Sequence, residues 1–253
     1  MVNVHRVRDL NDLISQAASR FIEVVAAAQS VGGGLYGDGF ARVVLTGGGA
    51  GIGLLRELAR LDAAAEAQGE DFPALRVDWT RVHVFFGDER NVPTSDPDSN
   101  EGQAWEALFH HVDIPAANIH GFDLGAIAME SAAQAYEAEI AEYAPQGFDL
   151  HLLGMGAEGH INSLFPHTDA VRETELLVVA VSDSPKPPAE RVTLTLPAIN
   201  SADRVWLLVA GAEKADAAAR VAHGADPIFW PAAGAQGRKD TVLFVAEDAA
   251  AEI

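Results

Sequence analysis

The stretch ARVVLTGGGAGIGLLREL, residues 41–58, joins an apolar run, a cluster of glycines and a run with helical spacing. Residues 41–46 form a continuous apolar block rather than an alternation, the pattern of a strand covered on both faces. Residues 47–53 then hold five glycines in seven positions, more than a tight turn needs. Glycine lets the backbone approach a ligand closely. The helix expected at 51–68 turns its free N–H groups and the positive end of its dipole toward the same point. This segment therefore reads as strand, phosphate-binding turn and helix, the building unit of a parallel α/β sheet. A plain strand-to-helix turn is the alternative.

Outward from this unit, strand-type blocks recur at 82–87, 148–154, 176–181, 192–196, 205–210 and 241–246. Helical patterns separate many of them, at 10–29, 99–111, 130–143 and 213–222, with Asp98 or Ser99 placed to cap the second of these. The alternation predicts an α/β fold whose mainly parallel sheet is flanked by helices on both faces. No repeat, low-complexity tract or long linker interrupts it, so residues 1–253 are expected to form a single domain. In such sheets ligands bind beyond the carboxyl ends of the strands, and the chemistry is sought there.

Composition narrows the function. Of 253 residues, 49% are hydrophobic and 21% charged, values of a globular chain. No apolar run approaches the roughly 18 residues of a membrane span. The first twelve residues mix His5, Arg6 and Arg8 with Asp9 and Asp12, unlike a secretory signal, and a cytoplasmic location is expected. With no cysteine there is no disulfide, thiolate zinc site or cysteine nucleophile. A net charge of -20 disfavours nucleic acid and anionic membranes as partners. Against that field each cation is informative, and the lysines are Lys186, Lys214 and Lys239 alone.

The post-strand segments carry the candidates. After the block at 82–87 come Asp88, Glu89 and Arg90, then Ser99 and Asn100. Carboxylates beside an arginine at a strand end can hold a sugar hydroxyl and an anion together, although a solvated charge cluster looks the same. After 148–154 runs LGMGAEGHINSLFP, residues 153–166, the strongest local signal. Here His160, on a glycine-rich loop leaving a buried strand, has the exposure and titration range of a general base. Glu158 is placed to accept its second ring N–H and fix the tautomer. Further on, a proline-stiffened segment presents Lys186 and Arg191, and Lys214 opens a helix against its macrodipole, a cost that suggests its charge serves a ligand.

Other chemistries find less support. The string at 46–53 also matches the fingerprint of short-chain dehydrogenases, but Tyr36, Tyr136 and Tyr143 are followed four residues on by Phe40, Ile140 and Gly147, not lysine. No dinucleotide cofactor is expected, and none of any other kind. No Gly-x-Ser-x-Gly elbow occurs, and the nearness of Ser163 to His160 in sequence is not triad geometry. The histidines show no zinc pattern, so no metal is expected, and His151 reads as a core residue within a strand.

Taken in order, these segments resemble the 6-phosphogluconolactonase family, related to glucosamine-6-phosphate deaminases. The matching elements are Gly47–Gly49, Asp88 to Arg90 with Ser99 and Asn100, residues 153–166, Lys186-Pro187-Pro188 with Arg191, and Gly211 with Lys214. The resemblance spans about residues 10–246 and implies a deaminase-like α/β fold. It implies hydrolysis of 6-phospho-D-glucono-1,5-lactone, a small phosphorylated sugar lactone, by a monomer or small homo-oligomer. It also implies His160 as the base, Glu158 beside it, and Arg191, Lys214 and the backbone of Gly48 and Gly49 on the 6-phosphate. Asp88, Arg90 and Asn100 would line the sugar. The oxyanion donors would be loop N–H groups near Gly156 and Gly159, or Arg90. Gly49 stands where the family usually has serine or threonine, Glu158 where it usually has aspartate, and His167 has no role. The alternatives are a sugar-phosphate isomerase or deaminase with Asp88 as base, and a sugar-phosphate-binding regulator without catalysis.

Overall fold

A computed structural model describes residues 2–68 and 75–253. Among them the strands are β1 (Asn3–Val7), β2 (Ala41–Leu45), β3 (Val82–Phe86), β4 (Asp88–Arg90), β5 (Leu150–Gly154), β6 (Val178–Val181), β7 (Arg191–Leu194), β8 (Arg204–Val209) and β9 (Asp240–Ala246). The main helices are α1 (Leu10–Ala28), α2 (Gly48–Gln68), α3 (Asn100–Ala107) and α4 (Met129–Tyr143). Shorter ones follow: α5 (Asp169–Arg172), α6 (Leu196–Asn200) and α7 (Ala215–Ala222). No helix among the described residues is long and apolar enough to cross a membrane.

The central sheet is parallel, in the order β1-β9-β8-β5-β2-β3. All five residues of β2 are buried. Successive side chains point to opposite faces of a strand, so both faces are covered, and the apolar run in the sequence follows from that. Helix α1 begins at Asp9, whose carboxylate accepts the Asp12 N–H at 2.9 Å. Its buried stripe, Leu13, Ala17, Phe21, Val25 and Ala28, keeps the three- and four-residue spacing of one helical face. From β2 the chain passes outward to β3, and later returns on the other side of β2 as β5. Loops leaving β2 and β5 therefore diverge, and the crevice between them is where such a sheet receives a ligand.

The structure departs from the sequence reading at four points. Strands β6 and β7 do not join the main sheet. They pair antiparallel, and with β4 they make a separate small sheet, β4-β7-β6. Strand β4 is three charged residues that no apolar pattern could reveal, extended because Asp88 to Arg90 pair with Arg191 to Thr193. Strand β1, with mostly exposed side chains, is held at the sheet edge by β9 alone and likewise lacks an apolar run. Helix α2 also starts earlier than its periodicity suggests, at Gly48 rather than Gly51.

One side chain fixes the approach to the site. Tyr136 on α4 is fully buried. Its hydroxyl accepts the Phe86 N–H at 2.7 Å and donates to the Phe86 carbonyl at 3.2 Å. The end of β3, two residues before Asp88, is thereby tied to a helix rather than left to move.

Candidate active site

The loops leaving β2, β3, β5 and β8 meet around one cleft. Its walls include Gly48, Gly49, Asp88, Arg90, Asn100, His160, Arg191 and Lys214. Glu158 and Lys186 stand beside His160 rather than on the walls, and Glu89, Ser99, Gly156 and Gly159 do not line the cleft. Thr46 stitches two of the loops together, its hydroxyl accepting the Gly154 N–H at 3.0 Å.

On the β2 side, Gly48 has φ 75°, a conformation that side chains other than glycine, asparagine and aspartate rarely adopt. It lets α2 begin at the cleft, and the first N–H groups of any helix have no partner within it. Lys214 stands just before α7, half-buried and without an ion-pair partner among the described residues. An ammonium and a helix N-terminus on one cleft can hold an anion in a strongly acidic protein.

The β3 side is a buried polar lattice. Asp88 Oδ2 accepts the Ser163 hydroxyl at 2.6 Å, Oδ1 accepts Asn100 Nδ2 at 3.1 Å, and Arg191 Nη1 lies 3.8 Å from Oδ2. Glu89 caps α3, accepting the Asn100 and Glu101 N–H groups at 2.8 Å each and the Ser99 hydroxyl at 2.9 Å. Burial raises the pKa of the Glu89 carboxyl, and the backbone donors oppose it. Ser99 is the N-cap residue, accepting the Gly102 N–H at 3.0 Å. With the helix start pinned, Asn100 is aimed into the cleft, where its Oδ1 meets Arg90 Nη1. Arg90 Nε remains buried with no partner among the described residues. Arg191 spends part of its donor set on its own segment: Nε reaches the Pro188 carbonyl at 2.9 Å and Nη2 the Lys186 carbonyl at 3.0 Å.

On the β5 side stands the base candidate. His160 Nδ1 is 3.1 Å from Glu158 Oε1, and the ring stacks on Phe165 with centroids 4.5 Å apart. Lys186 Nζ approaches the same carboxylate at 2.9 Å and lies 3.4 Å from His160 Nδ1. Burial, and then the Lys186 charge, lowers the His160 pKa below its ordinary value, while Glu158 and Asp88 pull it back. Burial would raise the Glu158 pKa, but the Lys186 hydrogen bond and the neighbouring positive charge outweigh it and hold the carboxyl below its ordinary range. The tautomer with Nδ1–H toward Glu158 would leave Nε2 its lone pair, as a base requires.

Residues 8–244 match the family model for glucosamine-6-phosphate isomerases/6-phosphogluconolactonase. The chain belongs to this family. It is 48% identical to the 6-phosphogluconolactonase of Mycobacterium tuberculosis over 255 residues, 97% of this chain and 96% of that one. The fold matches the crystal structure of 6-phosphogluconolactonase from Thermotoga maritima with a TM-score of 0.80 at 28% identity, covering 98% of this chain and 100% of the other. A monomeric glucosamine-6-phosphate deaminase matches with a TM-score of 0.80 at 21% identity, over 100% of both chains, a likeness of fold alone.

Within this lactonase and isomerase family member, the structure adds residues that sequence reading left without a role. Lys186 was notable as a rare cation, but its partner Glu158 is 28 residues away and no local pattern joins them. Ser163 makes no nucleophilic pair with His160: its hydroxyl is given to Asp88. Of the oxyanion donors expected near Gly156 and Gly159, these two amides are themselves taken. The Gly156 N–H is given to the His160 carbonyl at 2.9 Å and the Gly159 N–H to the Gly156 carbonyl at 3.0 Å, so the loop consumes both in holding its own shape. Arg90 is the candidate that keeps a free donor. His167 does not border the cleft; its ring meets Phe229 edge-on.

Proposed function

We propose that this chain hydrolyses 6-phospho-D-glucono-1,5-lactone to 6-phospho-D-gluconate, the second step of the oxidative pentose phosphate pathway, with His160 activating the water. The observation that carries this reading is the imidazole with Nδ1 set against Glu158, its protonation disfavoured by burial and Lys186, in one cleft with Lys214 and the start of α2. Neutral His160 takes a proton at Nε2 as water attacks the C1 carbonyl. Glu158 stabilises the imidazolium that results, and the same proton then passes to the departing ring oxygen. Arg90, with its unpartnered Nε–H, is the donor available to the oxyanion. Lys214, Arg191 and the amides at Gly48 and Gly49 hold the 6-phosphate, which binds remote from the carbonyl and orients it. No cofactor or metal enters these steps. Residues 1–253 act in this reading as one domain, cytoplasmic, as a monomer or small homo-oligomer.

An isomerase or deaminase reaction would need Asp88 as the base. Its two oxygens already accept from Ser163 and Asn100, with Arg191 close by, so both are engaged within the protein. The deciding experiment follows acid release from the phosphorylated lactone, corrected for spontaneous hydrolysis, beside ammonia release from glucosamine 6-phosphate. Acid release alone is expected; ammonia release alone overturns the proposal, and neither activity would leave a sugar-phosphate-binding protein.

A further inference from the structure

His160 runs into a tight turn closed by the Leu164 N–H on the Ile161 carbonyl at 2.9 Å. The two residues at its tip are treated differently. Ser163 is fully buried and anchored, its N–H on Thr193 Oγ1 at 3.2 Å and its hydroxyl on Asp88 Oδ2 at 2.6 Å. Asn162 is only 8% exposed, yet neither its Oδ1 nor its Nδ2 has a hydrogen-bond partner among the described residues. A buried carboxamide left this way carries the full desolvation cost of both its donor and its acceptor.

Two further features show that the site is built around this side chain. Asn162 has φ 49°, in the left-handed region that asparagine tolerates better than most residues, so a backbone cost is accepted to place it. Across from it, a Cβ at Gly87 would lie 2.3 Å from Asn162 Oδ1, so only glycine at the end of β3 leaves room for the carboxamide. The residue borders the same cleft as His160, Asp88 and Arg191.

The pair of unpaired groups selects the ligand chemistry. An oxyanion would satisfy Nδ2 alone and bring negative charge against Oδ1. A hydroxyl both donates and accepts, and a carboxamide with a free N–H and a free C=O is its complement. We propose that Asn162 reads a ring hydroxyl of the substrate and is a specificity-determining residue of the lactonase reaction, an inference that rests on the function proposed above. Sites that hydrogen-bond a substrate hydroxyl reject analogues lacking it, because their own polar groups are then left unpaired.

The test measures kcat/KM for wild type and Asn162→Gly, which keeps the left-handed backbone accessible and removes the carboxamide. The substrates are the phosphorylated lactone and its three analogues lacking the hydroxyl at C2, C3 or C4. The variant is expected to lose about 10–100-fold on the parent lactone, and on one of the analogues to match wild type. An equal loss on all four substrates means a structural role and overturns the inference, as does no loss on the parent. A wild-type protein that fails to hydrolyse the parent lactone overturns the underlying lactonase reading, and this one with it. If Asn162→Gly does not fold, Asn162→Asp, which keeps the shape and an acceptor but no donor, is run on the same substrates by the same criteria.

Discussion

His151 and His160 belong to one strand-and-loop unit, and the fold uses them in opposite ways. His151 lies within β5, 0% exposed, with neither ring nitrogen hydrogen-bonded among the described residues, and burial alone pushes its pKa down to about 3. His160 stands on the loop that leaves β5, with a carboxylate and an ammonium both near Nδ1. Burial lowers its pKa too, but charges of both signs act on it as well. A histidine governed by desolvation alone is locked neutral. One with charged neighbours can be set to the protonation state that a reaction needs.

The sharpest way to break this contrast is by mutation of each histidine. His160→Ala should lose about 10²–10⁴-fold in kcat, the usual worth of a general base, while His151→Leu should stay within about two-fold of wild type. Initial rates of lactone hydrolysis by pH-stat check both. If His160→Ala keeps wild-type turnover, the base is elsewhere. The charge proposed to face the phosphate comes next. Lys214→Ala should cost about 1.5–3 kcal/mol, seen mainly as a raised KM, by loss of a charge-assisted hydrogen bond.

Stability against pH sharpens the contrast from the core side. Folded His151 stays neutral down to about pH 3, whereas an unfolded histidine takes up a proton near 6.5. The unfolded state thus binds more protons within that window, and stability falls as pH drops through it. Between pH 7 and 5 wild type should lose about 2 kcal/mol more than His151→Leu, measured by denaturant unfolding at both pH values. His160 supplies the kinetic counterpart. The acid limb of kcat/KM should lie below the ordinary histidine value of 6.5. Lys186→Met removes a charge that lowers the imidazole pKa and should move the limb to higher pH. Glu158→Gln removes one that raises it and should move the limb to lower pH. Limbs that do not move would show that the Glu158 and Lys186 charges do not set the base. The smallest effect concerns Gly49. A Cβ there meets nothing within 4 Å, so Gly49→Ser should fold normally. Its added hydroxyl should lower KM by a factor of a few, about 0.5–1.5 kcal/mol.

Local patterns carried a large share of this molecule. Continuous apolar runs marked the buried strands, helical spacing marked α1 and α4, and the glycine cluster after β2 marked the start of α2 on the cleft. Because ligands of a parallel sheet gather at strand ends, residues following the strands could be named as one site, and His160, Asp88, Arg90, Asn100, Arg191 and Lys214 do border one cleft. Side-chain periodicity and glycine placement are properties of neighbouring residues, and neighbouring residues are what a chain spells out. Pairings between distant segments are not. The charged strand β4 is extended only because β7 lies beside it, and β6 and β7 form their own antiparallel sheet because of where the chain returns. The Gly156 and Gly159 amides are spent within a loop whose shape no composition records. Lys186 meets Glu158, and Asn162 meets nothing, only once strand order and packing have brought their segments to the same crevice. Which polar groups are satisfied and which are left open for substrate is decided at that stage, since a hydrogen bond depends on a few tenths of an ångström between residues far apart in the chain.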